Sequence, residues 1–379
     1  MYRRAAGNEG LKVAMRNAVC LCCDRNMIVP AMFVASTVAA SRTDASEFDV
    51  VVVTAGSDAL ADDHRRWLNE RDILVHEGFD LTRFKGVKIQ QARLSAATLI
   101  KLFLAELFAG VYDRILYLDS DLVVRHSVAP IFLLDLGGHP MAAVPSSRIP
   151  EATTRKKWQA HFGHLRALGM TEPYRYINTG VILVDVAAWN KSNLAMRTLD
   201  FILRNPAICI LPDEDALNGV VNGGQCELSP LWNMRAGAWA VPAVRDAIDP
   251  VIIHYDGPAK PWKRFARGVR LFQHREAYSL FETFLAATPW SHWLDQQWRT
   301  VDLLENLYFE LRHVAARVTN TDPPGPQKGF AAAFRRYCAE TTFADVEQGI
   351  ATAQNGRLQL SRQVVSARSA TTAGAGVGA

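Results

Sequence analysis

Two aspartates, Asp119 and Asp121, stand two positions apart where the apolar run Ile115-Leu116-Tyr117-Leu118 ends. In an extended chain, residues i and i+2 point to the same side, so both carboxylates can face one space. Hard oxygen ligands placed in this way suit Mg²⁺ or Mn²⁺, and a divalent ion held there would bind a diphosphate. A polar turn after a strand has the same composition, so the pair gains meaning only from partners. His254 is one partner, because it closes the apolar run Val251-Ile252-Ile253 and precedes Asp256-Gly257-Pro258-Ala259-Lys260-Pro261-Trp262. A histidine at a strand end can also be a plain hydrogen-bonding residue. Two carboxylates and one imidazole would leave about three positions of an octahedral ion for phosphate oxygens. Lys260, in a loop stiffened by prolines on either side, then reads as a phosphate clamp.

The elements that must position these residues follow from the spacing of apolar residues. Ile115–Leu118 is short, lacks Pro and Gly, and follows a helical segment, so it reads as a buried strand. Upstream, a strand over Ala18–Cys23 ends in Asp24-Arg25-Asn26, and a helix is expected over about 29–40. A strand at Phe48–Thr54, a polar helix around 58–71, a short strand at 73–76 and a helix over 92–107 follow. Downstream, strand-like runs cover 141–144 and 176–185, the second with Asn178 and Gly180 at its mouth. A helix is expected over 186–205. Another is opened by Asp213-Glu214-Asp215, with acids in the first turn where the macrodipole favours them. A strand over 227–233 and the strand ending at His254 complete the series. The alternation predicts an α/β domain with a mixed, mostly parallel sheet. Asp119, Asp121 and His254 would then all sit at strand C-termini of that one sheet, where open α/β sheets bind ligands.

With 379 residues there is room for one large α/β domain plus an appendage. The division read from the sequence is a flexible basic lead over 1–17, a catalytic domain over 18–262 and a basic, aromatic helical extension over 263–322. The last part, 323–379, reads as a Pro/Gly linker, a helical piece over 329–365 and a disordered tail. A net charge of +4 is small for this size and gives no reason to expect a nucleic-acid partner. Six cysteines make no disulfide ladder. Three of them crowd Cys20-Leu21-Cys22-Cys23, with no zinc spacing elsewhere, and buried free thiols suit a reducing compartment. The N-terminal region lacks a signal-peptide cleavage site, and the most apolar window, Met27–Ala40, is shorter than the roughly 20 residues that span a bilayer. A cytoplasmic protein is expected. Lys263, Arg264, Arg267, Arg270, His274 and Arg275, with Trp290, Trp293 and Trp298, read either as a solvated basic face over an aromatic core or as a patch over 263–298 that meets anionic lipid. Interfacial tryptophans tilt the reading toward lipid.

Four motifs in order resemble the family 8 glycosyltransferases, of the bacterial kind that extends lipopolysaccharide cores with galactose or glucose. They are Leu116-Tyr117-Leu118-Asp119-Ser120-Asp121, Tyr176-Ile177-Asn178-Thr179-Gly180-Val181, Asp213-Glu214-Asp215-Ala216-Leu217-Asn218 and the His254–Trp262 segment, and the resemblance covers about residues 18–293. It implies a GT-A fold, a UDP-hexose donor, Mn²⁺ or Mg²⁺, retention of anomeric configuration, and a saccharide or glycolipid acceptor in lipopolysaccharide or another surface glycan. It makes Asp119, Asp121 and His254 the metal ligands, and counts Ser120 between them with the donor-binding residues. Asp24 and Asn26 match residues that hold uracil and ribose, Gly257 and Lys260 match the diphosphate contacts, and Asn178, Asp213 and Asp215 match residues around the donor sugar and acceptor.

Two positions depart from the family pattern. Where the family has Tyr-x-Arg ahead of the Asp pair, this chain has Leu99-Ile100-Lys101, so Lys101 must supply the charge near the donor sugar without the fork of an Arg. The middle of the acidic triplet, often Gln, is Glu214. Retention needs either a covalent intermediate, with Glu214 as nucleophile, or a front-face reaction in which the departing UDP oxygen takes the acceptor's proton. An amide in the family at this position favours the front-face route. Sugar-nucleotide synthesis would need a Gly-rich N-terminal loop that Asp24-Arg25-Asn26 does not provide. A catalytically weak UDP-sugar binder of the same fold is the other alternative.

Overall fold

The computed structural model describes residues 15–44, 47–56, 59–91, 94–146, 155–239, 242–256, 260–262, 271–293, 311, 330–340, 342–354 and 357–362. In chain order the strands are β1 (Asn17–Cys23), β2 (Asp49–Ala55), β3 (Ile73–Phe79), β4 (Arg114–Leu118), β5 (Leu122–Val124), β6 (Met141–Pro145), β7 (Ile177–Asp185), β8 (Cys226–Glu227), β9 (Met234–Arg235), β10 (Ile252–His254), β11 (Ala351–Gln354) and β12 (Arg357–Leu360). The main sheet runs β3-β2-β1-β4-β7-β6-β8. Its first four strands are parallel, β7 is antiparallel to both β4 and β6, and β8 is parallel to β6.

The central strands read as unbroken apolar runs because helices cover both faces of the sheet. Along β1, Val19, Leu21 and Cys23 face one apolar core, and Ala18, Cys20 and Cys22 face the other. The helix Ile28–Ala40 packs in the first core, and the segment from Ala96 to Ala105 packs in the second. Reversal of β7 sets the site, because Leu118 pairs with Val181. The N-terminal end of β7, Asn178-Thr179-Gly180, therefore meets the C-terminal end of β4, where the Asp pair begins.

His254 does not lie on this sheet, contrary to the expectation from spacing. It ends β10, the middle strand of a second sheet ordered β5-β10-β9. The strand β5 begins one residue after Asp121 and pairs antiparallel with β10, with His254 opposite Leu122. Antiparallel pairing therefore delivers the imidazole to the carboxylates from a strand running the other way.

Other elements differ for local reasons. Residues 96–103 form a 3-10 helix with Ser95 capping its start, and only Leu104–Leu107 make an α-helical turn. The helix expected over 186–205 is broken at Asn193, whose φ of 50° lies in the left-handed region that Asn tolerates. Pro230 cannot donate to a ladder, so the strand expected over 227–233 becomes a two-residue β8 and a 3-10 turn, Pro230–Trp232. Beyond residue 262, the helix Leu271–Ala286 buries Ala277, Phe281 and Leu285 in the same core as Val19 and Leu21. Among the described residues of 329–365, the helices Phe330–Glu340 and Ala344–Glu347 are followed by a hairpin of β11 and β12 where helix was expected. Phe334, Cys338, Ile350 and Leu358 from this region join that core. The expected lead over 1–17 overlaps the sheet, because Asn17 opens β1 and pairs with Arg114, while its residues 1–14, the Pro/Gly linker and the tail after 362 lie outside the described residues.

Candidate active site

The Asp119 N–H donates to the Gly180 carbonyl at 2.8 Å, tying the end of β4 to the mouth of β7. Asp119 Oδ1 accepts from the Tyr117 hydroxyl at 2.6 Å and from Lys101 Nζ at 3.0 Å. Asp121 Oδ1 lies 3.1 Å from His254 Nε2, and its other oxygen accepts from Lys260 Nζ. His254 Nε2 is 3.8 Å from Asp119 Oδ2. One ligand atom from each of Asp119, Asp121 and His254 falls within 4.8 Å of the others. Cis ligands of an octahedral Mg²⁺ stand about 3 Å apart, so small side-chain adjustments would close the three around one ion. Ser120, between the two aspartates, is buried, and its hydroxyl has no hydrogen-bond partner among the described residues. The donor set and the orphaned hydroxyl both fit a hard divalent ion with its phosphate ligand.

Charges hold this triad together. Burial would push the Asp121 carboxyl up, but Lys260 and His254 outweigh it and hold the group well below the usual carboxylate range. Burial would likewise lower His254, yet Asp121 raises it above the ordinary imidazole value. Lys101 is only 5% exposed and lies between Asp119 and Asp213, 2.8 Å from Asp213 Oδ2, with the Thr179 carbonyl at 3.3 Å. These carboxylates overcome the burial that would discharge it. Lys101→Met would leave two carboxylates facing each other without a cation. The expected destabilisation is about 3–5 kcal/mol by the usual cost of breaking a buried pair, read as the shift in denaturant midpoint.

A second group surrounds Glu214, in the first turn of the helix Pro212–Val221. Its carboxylate accepts from the Tyr176 hydroxyl at 3.0 Å, from Asn178 Nδ2 at 2.9 Å and from the Thr179 N–H at 3.2 Å. Burial first, and then repulsion from Asp213, raise its pKa to about 7. Asp213 Oδ2 accepts from the Thr179 hydroxyl at 3.0 Å. Asp215 has a different geometry. One of its oxygens accepts from Tyr176 and bonds the His164 ring, both at 2.9 Å, and the other accepts from the Leu211 N–H at 2.8 Å. Asp215 therefore fixes the start of its own helix and the Tyr176 ring.

Asp24 stands at the C-terminal end of β1, beside β4, with Leu21 paired to Leu118. Its Oδ1 accepts from the Asn26 and Met27 N–H groups at 2.9 and 3.2 Å, which folds the turn and leaves Asn26 exposed. Lys260 is described, but Gly257 lies outside the described residues. Trp290 donates to Asp63 at 2.8 Å, and Trp293 packs on Phe281 with ring centroids 5.7 Å apart. Both indoles take part in the packing of the region after Trp262, where a lipid-facing patch was expected over 263–298. Lys263, Arg264, Arg267, Arg270 and Trp298 lie outside the described residues. Among the described residues, no helix is long and apolar enough to cross a membrane.

Sequence reasoning missed Tyr176, Thr179 and above all Asn233, which bridges His254 and Asn178 at 3.0 and 2.9 Å. Its only signal was a polar residue directly after the apolar Leu231-Trp232 pair.

The sheet with its reversed β7, and the carboxylate pair at the end of β4, define a GT-A-type α/β fold. The chain belongs to glycosyl transferase family 8, whose sequence profile matches residues 18–266. It is 26% identical over 208 residues to lipopolysaccharide 1,3-galactosyltransferase of Salmonella typhimurium, covering 52% of this chain and 56% of that one. It is also 26% identical over 164 residues to general stress protein A of Bacillus subtilis, covering 39% and 52%. The matches thus span about half the length of these curated relatives. Crystal structures of the galactosyltransferase LgtC with donor and acceptor sugar analogs, and of an active-site glutamine-to-glutamate variant of LgtC, share the fold. TM-scores are 0.56 and 0.57 at 24% identity, covering 70% and 69% of this chain and 95% of each of theirs.

Proposed function

We propose that this chain transfers a hexose, galactose or glucose, from a UDP-sugar to a saccharide acceptor with retention, using Mn²⁺ or Mg²⁺ held by Asp119, Asp121 and His254. The observation that carries the reading is the convergence of those three ligand atoms next to Lys260, beyond the C-terminal ends of β1 and β4, where Asp24 follows β1. When bound, the ion would neutralise charge building on the UDP leaving group. Asp24 and Asn26 are assigned to the nucleoside. Lys260 is assigned to the diphosphate, moving from Asp121 onto a phosphate oxygen when the donor enters. Lys101 steadies Asp119 and Asp213 on either side of the sugar. A named lipopolysaccharide galactosyltransferase among the relatives supports a surface-glycan acceptor. Contact with anionic lipid at the cytoplasmic face would rest on the basic residues after Trp262, and absence of salt-sensitive vesicle flotation would remove it.

Calorimetry with UDP tests the donor site. Binding is expected with Mn²⁺ and at least tenfold weaker with chelator present, as expected when a charge-neutralising ion is lost. Equal binding under both conditions would contradict the assignment of Asp119, Asp121 and His254.

Glu214 takes the front-face role in this reading: its carboxylate stabilises positive charge on the sugar, and the acceptor's proton goes to the departing UDP oxygen. Glu214→Gln is therefore expected to keep measurable turnover and to lose any pH step near 7. A loss as deep as that of Asp121→Ala would point instead to a nucleophile. Stability offers a second check. A carboxyl raised to about 7 on folding contributes stability that is full below the unfolded value and is lost as pH rises to 7. The Gln variant should lack that decline, seen as a flatter dependence of the denaturant midpoint on pH between about 4.5 and 7.

A further inference from the structure

The Gly180 N–H donates to Asn178 Oδ1 at 3.1 Å, and a backbone donor cannot reverse its role. Asn178 Nδ2 is thereby turned to Glu214, and its Oδ1 can only accept from Asn233 Nδ2. That fixes Asn233 Oδ1 as the acceptor for His254 Nδ1, so the ring carries hydrogen on Nδ1 and presents Nε2 to Asp121. One continuous chain of amides joins the proposed metal ligands to Glu214, and Asn233 is its middle link.

Asn233 follows the 3-10 turn Pro230–Trp232, and that turn is gripped from beyond the family match. Asp345 is fully buried, and its carboxylate accepts from the Ser229 N–H at 3.1 Å, the Ser229 hydroxyl at 2.5 Å and Trp232 Nε1 at 2.8 Å. The same segment holds the approach to β10, because the Leu358 carbonyl accepts from the Asp249 N–H at 2.9 Å. Gln348 further ties it to Asp135, giving and receiving hydrogen bonds at 2.8 and 2.6 Å. The described residues of 342–362 thus hold the turn that leads into β9, through Ser229 and Trp232, and the approach to β10, through Asp249.

We propose that residues 342–362 act as a strap that sets Asn233, and that Asn233 is the positioning residue that turns His254 Nε2 toward the metal site. The inference rests on the metal assignment proposed above. The test uses the full chain and the fall of the free Mn²⁺ electron paramagnetic resonance signal on titration with protein, with UDP present. Asn233→Leu is expected to weaken Mn²⁺ binding about 10–100-fold, the usual cost of removing a partner of a ligating histidine. Asn233→Asp, which still accepts from Nδ1, should recover most of it, while turnover stays low because Asn178 Oδ1 loses one of its two donors and faces a carboxylate instead. Asp345→Ala should weaken Mn²⁺ binding several-fold in protein that still melts cooperatively. Should it not fold, Asp345→Asn, which keeps one acceptor oxygen, replaces it with the same reading. Wild-type Mn²⁺ affinity in folded Asp345 variants would overturn the strap, and an Asp variant as weak as the Leu variant would overturn the role of Asn233. A wild-type chain that binds no Mn²⁺ would overturn the metal assignment itself.

Discussion

Asp121→Asn is expected to lower turnover about 10²–10³-fold, the scale lost when one preorganised charge contact to a departing oxyanion is removed, and to remove measurable Mn²⁺ binding. The substitution keeps size and one oxygen but removes the anion that both His254 and Lys260 face. Lys260 would lose its buried counter-ion and His254 the charge that raises it, with Asp119 Oδ2 as the next carboxylate oxygen, 3.8 Å from His254 Nε2. The shape of the site survives while it loses an anion, so the loss should fall on metal binding and turnover far more than on helix and sheet content by circular dichroism. Retained Mn²⁺-dependent turnover would mean that Asp119 and His254 suffice.

Gly180→Ala should be as damaging for a steric reason. A Cβ built on Gly180 would sit 2.2 Å from His254 Cε1 and 2.9 Å from both Asp119 Oδ2 and His254 Nδ1. Carbon atoms do not approach so closely, and the ring cannot retreat, because it is only 1% exposed and sits at the end of a paired strand. The methyl group would therefore part His254 from Asp119 and strain the link to Asn233. Mn²⁺ affinity should fall at least as far as in Asn233→Leu, and stability by about 1–3 kcal/mol, the usual cost of overpacking a tight interior. Wild-type Mn²⁺ affinity in this variant would show that β7 and β10 separate without cost.

The Asp119-x-Asp121 pair and the end of β10 were legible because few residue types bind hard cations and both motifs close apolar runs. The mostly parallel half of the sheet was legible because β1 and β2 are continuous apolar strands between loops and helices. The partition into two sheets was not. Leu122 and His254 pair across a long stretch of chain, and such pairing is settled by tertiary packing rather than by local pattern. Lys101 shows the same limit: its spacing reads as an α-helix, whereas the chain tightens into a 3-10 helix that places the amine between Asp119 and Asp213. Asn233 was hidden because one amide after a Pro-containing turn has no pattern of its own. Trp290 and Trp293 looked interfacial by composition, but their partners Asp63 and Phe281 lie far away in sequence or on the preceding helix.

UDP release from a panel of UDP-sugars, with Mn²⁺ and again with chelator, is the most direct measurement, because it needs no acceptor. The expected result is slow hydrolysis of one UDP-hexose that stops when the metal is removed. Release that continues unchanged in chelator, or no release from any UDP-hexose by a chain that still binds UDP, would contradict metal-dependent hexosyl transfer at Asp119, Asp121 and His254.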